Sequence, residues 1–394
     1  MLVGAEIACL SSLAWHGRPT SRHHLASILA EENAVLFVDP PRSVGRTGLH
    51  RSHMTEDGPL VRLTPAPHLP YGGQVRVKLT TGANQRSYSR SVRSALRRLE
   101  WSDPIIWNVF PVYSAARFCG RVRASLQFVH MTDSLWDYPW YGQTYESALL
   151  RCLERSEFAI GSSPIMAERL ARYGKPTHVL EHGVDVDLYR PAAERSVAPV
   201  SPMGDRRRPR IGLVGSIDHR LDVDLVAGLA GIGSVTLVGP IAGGATSLPR
   251  RDLARLESAG CRFEGEVTPE QSVAWMAGFD VAVLPYRVDE LVRASNPLKL
   301  LDYLAAGLPV VSVDIPAARA HLPHLRVAGS PQSFLEKTTA AFEESADPEM
   351  ETTRRAERLA WAEQNSWRRR ALELSGLINQ YSSPDRGQVS SSDP

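Results

Sequence analysis

Residues 292–313 read VRASNPLKLLDYLAAGLPVVSV, and within that one run the local signals describe a loop, a capped helix, a tight stop and a buried strand. Ser295 or Asn296 is placed to cap the helix, and Pro297 suits its first turn. Gly307 followed by Pro309 stops it ahead of the apolar pair Val310 and Val311. A helix starts where backbone N–H groups point outward with partial positive charge, and Lys299 adds a full charge in that first turn. The end is therefore suited to an anion such as a diphosphate. Asp302 lies three residues beyond Lys299 on the same face, where its carboxylate can accept hydrogen bonds from vicinal hydroxyls such as those of a ribose. A solvated Lys/Asp pair on an ordinary surface helix is the plainer reading of the same residues.

Upstream of this run the same alternation repeats. RIGLVGSI, VTLVGP, RFEGEV and DVAVLPY read as strands, with LDVDLVAGLA, RDLARLESAG and PEQSVAWMAGF as helices between them. Strands alternating with helices predict a parallel, doubly wound sheet. Downstream, helices are expected at 331–344 and 348–378, and the polar end SSPDRGQVSSSDP is expected to be a disordered tail. Ahead of residue 210, AAERSVAPVSPMGDRRRPR has Pro, Ser and Arg without apolar periodicity and reads as a linker.

The part before the linker is a second α/β series. EIACLSSLAWHGRPTSRHHLASILAEENAVLFVDPP gives a strand, a loop, a helix from Ser21 to Glu32 and a strand ending at Asp39. Its loop and helix start carry Trp15, His16, Arg18, Arg22, His23 and His24, at the carboxyl end of the first strand, where open α/β sheets bind ligands. A solvated first turn is the alternative. PIIWNVFPV and ASLQFVHMTD read as further buried strands, the second ending in His130, Thr132 and Asp133; for His130 the alternative is a satisfied core histidine. From Arg42 to Arg98 the chain reads as irregular and basic, opposed only by Glu56 and Asp57. Within it SRSVRSALRRLEW is expected to be a helix whose basic face meets anionic lipid head groups, a phosphorylated acceptor, or simply water.

A chain of 394 residues, 43% hydrophobic and 22% charged, is long enough for two domains with ordinary cores. The net charge of +2 argues against an obligate nucleic-acid binder. Cys9, Cys119, Cys152 and Cys261 are far apart with no C-x-x-C, so neither a disulfide framework nor a thiolate zinc site is indicated, and a reducing cytoplasm fits. MLVGAEIACLSSLAW lacks the basic start and long apolar core of a signal peptide, and no window approaches the roughly 20 apolar residues that span a bilayer. Membrane contact is therefore expected to be peripheral at most.

Two Asp-x-Asp strings, Asp185 with Asp187 and Asp222 with Asp224, have the spacing of a metal-binding carboxylate pair, but the first lies in a turn and the second in an expected helix. Neither is read as a metal site. IGLVGSIDHR supplies only Gly212 and Gly215, so the G-x-G-x-x-G of a dinucleotide oxidoreductase is missing, as are a Walker A string, H-E-x-x-H and G-x-S-x-G. An anion-binding logic remains. Gly215 and Ser216, with Arg220 just beyond, follow the first strand of the second half, while Ser295, Asn296, Pro297 and Lys299 follow a later one. In a doubly wound sheet both loops lie at the carboxyl edge, where Arg220 and Lys299 would flank a diphosphate and stabilise the charge that grows as a nucleotide leaves.

With these residues in view the sequence resembles the GT-B glycosyltransferases of the family 4 type, and more narrowly bacterial teichuronic-acid and polysaccharide glycosyltransferases. The strings that carry the likeness are HGVDVDLYRP, GLVGSIDHRLDVDLV, VTLVGP, FEGEV, DVAVLPY, SNPLKLLDYLAAGLPVVSV and NSWRRRALEL, in order through residues 178–372. WHGRPTSRHHLA and VHMTDSLWDY agree more weakly in the first half.

The resemblance implies an α/β GT-B chain of two Rossmann-like, doubly wound domains facing across a cleft. The expected division is 1–191 for the acceptor-side domain, 192–209 for the linker and 210–365 for the nucleotide-sugar domain. A terminal helix at 366–380 is expected to pack back on the first domain, ahead of a tail at 381–394. Carried over by position, Arg220 and Lys299 contact the diphosphate and Asp302 grips the ribose. Gly215 and Ser216 line the same site. The backbone of Gly239, Pro240, Gly265, Glu266 and Val267 cradles the base, and Ser295, Asn296, Pro297 and Leu298 complete the donor loop. His130 faces the donor sugar, and Trp15, His16, Arg22, His23, His24 and Asp133 make the acceptor side.

The implied donor is a nucleotide-diphosphate sugar, with uridine the expected base, transferred with retention and without metal or other cofactor. The acceptor is expected to be lipid-linked or a small molecule; the cysteine usage fits a cytoplasmic location, and the basic segment leaves peripheral contact with an anionic membrane open. One departure stands out: the first acid of the family's E-x(7)-E pattern falls on Ala294, with Glu290 or Asp289 as substitutes. Two rival readings keep the fold, a nucleotide-sugar epimerase or hydrolase and a binding subunit without turnover.

Overall fold

The computed structural model describes the chain outside residues 17–18, 43–50, 69–76, 110–114, 138–141, 201–207 and 383–394, and outside the side chains of residues 77–81, 144 and 245. Arg18, residues 201–207 of the expected linker and residues 383–394 of the expected tail lie outside the described residues. The chain divides into two compact units, Met1–Glu181 with Trp367–Pro394, and His182–Ser366.

The first unit holds strands β1 (Glu6–Leu10), β2 (Ala34–Val38), β3 (His53–Asp57), β4 (Leu60–Thr64), β5 (Ile105–Val109), β6 (Leu126–Met131), β7 (Phe158–Gly161) and β8 (Thr177–Val179). Their order is β3-β4-β2-β1-β5-β6-β7-β8, parallel except for β3 against β4. Strands buried on both faces read as near-continuous apolar runs, as IIWNV does in β5, interrupted only by buried Asn108. The β3–β4 hairpin corrects the expectation of an irregular segment after Arg42. HMTED and LVRLT are joined at Gly58, whose φ of 61° needs a residue without a side chain. Arginine content hid a strand pair that the Asp-Gly turn signals.

One face of this sheet carries an aromatic layer. Trp107 stacks on Phe128 and on His130, Phe128 on Phe158, and Phe158 on Tyr381 of the helix Trp367–Ser382, with ring centroids 4.4 Å apart in the last pair. That helix also meets the helix Ser21–Leu29, where His24 and Trp367 lie parallel at 5.0 Å and Arg368 pairs with Glu31 at 2.8 Å. The terminal helix therefore belongs to the first unit. The long helix expected at 348–378 is two, Pro348–Gln364 and Trp367–Ser382. Asn365 accepts a hydrogen bond from the Val184 N–H, and Ser366 pairs with Val184 as a bridge, so the chain extends between them.

The second unit holds β9 (Arg210–Val214), β10 (Ser234–Val238), β11 (Arg262–Phe263), β12 (Val281–Leu284), β13 (Val310–Val313) and β14 (Arg326–Ala328), all parallel, in the order β11-β10-β9-β12-β13-β14. The order reverses between β9 and β12, and the loops leaving these neighbours part above a crevice. The unit begins at His182, earlier than expected. The helix Val186–Ala193 buries Tyr189, Ala192 and Val186 in the second core, so 182–191 moves from the first domain to the second.

In the run 292–313, Asp289 caps a short helix, Glu290–Ala294, by accepting from the Val292 N–H at 2.8 Å. Ser295 ends that helix, and a second helix starts at Lys299 without a side-chain cap. The expected cap at Ser295 or Asn296 is thereby corrected: Ser295 turns its hydroxyl back to the Val292 carbonyl at 2.8 Å. The stop is as read. Gly307 has φ of 72°, and its carbonyl accepts a 2.7 Å hydrogen bond from buried Arg358, itself held by Glu351.

Candidate functional site

In the second unit the loop after β9 and the loop after β12 are tied together. Asp222 N–H donates to the Pro285 carbonyl at 2.9 Å and Arg287 N–H to the Arg220 carbonyl at 2.8 Å. Tyr286, almost wholly buried, is the wall between them. The Arg220 guanidinium carbon lies 5.2 Å from the Tyr286 ring centroid, the Lys299 Nζ lies 5.1 Å from it, and that Nζ donates to the phenolic oxygen at 2.7 Å. Two cations from separate loops thus converge on one ring.

Arg220 is held in place from below. Asp218, 4% exposed, accepts from its Nε at 2.9 Å and its Nη2 at 2.5 Å, and also from its backbone N–H at 3.0 Å. Burial alone would raise the Asp218 carboxyl, but these hydrogen bonds and the Arg220 and Lys299 charges hold it below its ordinary value. The acid stays ionised and fixes the guanidinium. The sequence reading named Arg220 and Lys299 but neither Asp218 nor Tyr286, although an acid two residues before an arginine was the available signal.

The glycines leave room for this arrangement. Gly215 has φ of 135°, and a Cβ there would come 2.7 Å from the Lys299 Nζ. Gly239 has φ of 142°, and its Cβ would strike the Gly215 carbonyl oxygen at 2.1 Å. Only residues without a side chain let these two loops and the lysine meet. Ser216 and Pro240 lie beside them, with Ile217 N–H bonded to the Pro240 carbonyl at 3.0 Å. Asp302 sits half-buried in the first turn of the helix Lys299–Ala305. Its neighbour Tyr303 anchors that helix to the end of β9, its hydroxyl accepting from the Val214 N–H at 2.8 Å.

Asn296, Pro297 and Leu298 form the half-buried connection into that helix. Gly265 and Glu266 are exposed after the two-residue β11, shorter than the strand expected through Val267. Ala294, at the family's first acidic position, is fully buried. Asp289 is engaged as a cap. Both Asp-x-Asp strings open helices, Asp185 accepting from the Leu188 N–H at 3.2 Å and Asp222 from the Leu225 N–H at 3.0 Å. Among the described residues no group of three or more His, Cys, Asp or Glu is placed to hold a metal ion.

The residues expected in the first unit have mostly structural partners. Arg22, 3% exposed, donates to the Ser12 hydroxyl at 2.6 Å and the Thr132 hydroxyl at 2.9 Å, tying the loop after β1 to the end of β6. Thr20 N–H donates to His23 Nδ1 at 3.1 Å, and His23 Nε2 faces the Ala14 carbonyl at 3.0 Å. Such a ring is neutral, and burial lowers its pKa. His24 is taken by the stack on Trp367. These two histidines are corrected from an acceptor surface to a helix start and a helix contact, since their ring atoms face protein. His130, 2% exposed, lies within the aromatic layer on Trp107 instead of at an open strand end. Trp15 N–H donates to Asp39 at 2.8 Å, His16 is exposed and lies 3.2 Å from Asp57, and Asp133 is exposed.

Residues 209–344 match the family described as Glycosyl transferases group 1. The putative teichuronic acid biosynthesis glycosyltransferase TuaH of Bacillus subtilis (strain 168) is 26% identical over 230 residues, 54% of this chain and 56% of that protein, so the likeness spans about half of that relative. Among solved structures, a sucrose-phosphate synthase from Thermosynechococcus elongatus is similar with a TM-score of 0.71 at 15% identity, covering 95% of this chain and 98% of that one. The trehalose-6-phosphate protein from E. coli bound with UDP-2-fluoro glucose is similar with a TM-score of 0.65 at 12% identity, covering 96% and 99%. The fold of the chain is GT-B, and residues 209–344 of its second unit are similar to the group 1 glycosyl transferases.

Proposed function

We propose that this GT-B glycosyltransferase moves a sugar from a nucleotide-diphosphate sugar, with uridine as the base, to a hydroxyl of a lipid-linked or small-molecule acceptor, with retention and without a metal. The observation that carries the reading is the convergence of Arg220 and Lys299 on Tyr286 beside Gly215, at the point where the sheet order reverses.

In this reading the diphosphate lies against the two cations and the outward N–H groups at the start of the helix Lys299–Ala305, while Asp302 accepts from the ribose hydroxyls. As the bond between the anomeric carbon and the β-phosphate oxygen breaks, negative charge collects on the leaving diphosphate. Preformed cations stabilise that charge without reorganising, because Asp218 and Tyr286 already hold them. The acceptor hydroxyl bonds to the anomeric carbon on the face the phosphate leaves, and its proton passes to the departing phosphate oxygen. A separate strong base is then unnecessary. The E. coli protein's complex with a UDP sugar supports uridine as the base.

The test incubates the protein with UDP- and GDP-sugars, with and without a panel of lipid-linked and soluble acceptors, and follows nucleotide release and product mass. Acceptor-dependent release of UDP with a new α-configured product from an α-linked donor is expected. Free sugar or an epimer formed without acceptor would overturn transfer, and release only with divalent metal would overturn metal independence.

A further inference from the structure

The helix Val77–Arg98 contains no acidic residue, and Arg86, Arg90, Arg93 and Arg97 recur along it at steps of four, three and four residues. That spacing makes one stripe, about 16 Å long at 1.5 Å per residue. On the other side Tyr88, Val92, Ala95 and Leu96 are buried in the core of the first unit. The stripe is therefore turned outward, with Arg86, Arg90 and Arg97 exposed and Arg93 half-buried.

The helix Ala116–Cys119 adds to it. Arg93 donates to the Arg121 carbonyl at 3.2 Å, and Arg117 is pushed below its ordinary value by the Arg121 charge first, then by burial and by Arg86 and Arg93. Among the described residues none of these six arginines pairs with a carboxylate. Like charges at helical spacing repel one another along the helix that carries them, and among the described residues no carboxylate neutralises that repulsion.

We propose that this arginine stripe is the contact by which the protein lies on an anionic lipid surface. An extended row suits many head groups side by side better than one small anion. The apolar face of the helix is already used in the core, so binding is electrostatic, reversible and salt-sensitive, with no insertion of the helix. A nucleic acid fits less well: the stripe carries no exposed aromatic for stacking bases, and the whole chain has a net charge of only +2. The inference stands on the stripe alone and is independent of the nucleotide site.

The experiment is flotation of the full chain with phosphatidylglycerol-containing vesicles, pure phosphatidylcholine vesicles, or a single-stranded oligonucleotide as competitor, at low and physiological salt. Wild type is expected to float only with the anionic vesicles and to be released by salt. The combined change of Arg86, Arg90, Arg93 and Arg97 to Gln is expected to lower partitioning about a hundredfold, the same positions changed to Lys to keep it, and both variants to melt like wild type. Equal flotation on phosphatidylcholine, no loss in a folded Gln variant, or displacement by the oligonucleotide at physiological salt would overturn the proposal. If the Gln variant fails to fold, weak flotation by the Lys variant, or wild-type flotation that ignores salt, does so.

Discussion

The Lys299 ammonium lies 2.7 Å from the Tyr286 hydroxyl, and the Arg220 guanidinium stands 5.2 Å from the ring of the same tyrosine. Two cations from loops distant in sequence thus meet the same ring. Tyr286→Phe keeps the ring and removes the lysine's partner, so UDP affinity is expected to fall about five- to tenfold, near 1 kcal/mol, with little change in melting temperature. Calorimetric titration beside a thermal melt checks both halves; unchanged affinity would remove the hydroxyl from the account.

Asp218 is a second support for the same arginine. Its folded carboxyl is held below its unfolded value, so the stability it contributes is present above the unfolded value near 3.9 and is lost as pH falls through the folded one. Asp218→Asn is expected to cost about 2 kcal/mol at neutral pH, the size of a lost hydrogen bond to a charged group, and the gap from wild type should narrow as pH falls below about 3.9. Denaturant melts across pH measure this, and a gap that does not depend on pH would contradict it.

Gly239→Ala is expected to destabilise the second unit by at least about 2 kcal/mol, since the added methyl meets the Gly215 carbonyl at a backbone angle disfavoured for L side chains. Gly231, in the helix Val223–Ile232 with open space around its Cβ position, provides the contrast. There alanine should stabilise by about 0.5–1 kcal/mol. Melts of the two variants should move in opposite directions.

Acid should act first through buried histidine. Burial pushes His68 down to about 4, with the hydrogen bond to the Asn84 backbone acting in the opposite direction. Its folded value lies below the unfolded one near 6.5, so its contribution is full above 6.5 and is lost as pH falls toward 4, on the order of 2–3 kcal/mol in all. His68→Leu should flatten the stability curve over that window, as read by urea midpoints.

How much of this could be read from residues alone differs by element. Parallel strands buried on both faces, such as β5 and β12, read as apolar runs, and Gly307 announced the helix stop by its spacing from Pro309. Arg220 and Lys299 were legible because each follows a strand at the sheet's carboxyl edge. Their supports were not, because Asp218 and Tyr286 acquire roles only when two loops distant in sequence close on each other. The β3–β4 hairpin was masked by the basic composition around it, although Arg62, the one arginine in its strands, is largely buried and pairs with Asp39 and Asp57. His23 and His24 looked like ligand-facing groups, yet their rings meet Ala14 and Trp367, partners that only packing reveals. The helix break at Asn365 likewise depends on Val184, far away in the chain.

The central claim is that Arg220, Lys299 and Asp302 hold a nucleoside diphosphate, and calorimetric titration of UDP against wild type, Lys299→Ala and Asp302→Ala tests it most directly. The account predicts one-site binding by wild type and a loss of about 1.5–3 kcal/mol, roughly 10- to 150-fold, in each variant, with both still folded. Binding by the two folded variants as tight as by wild type would contradict it.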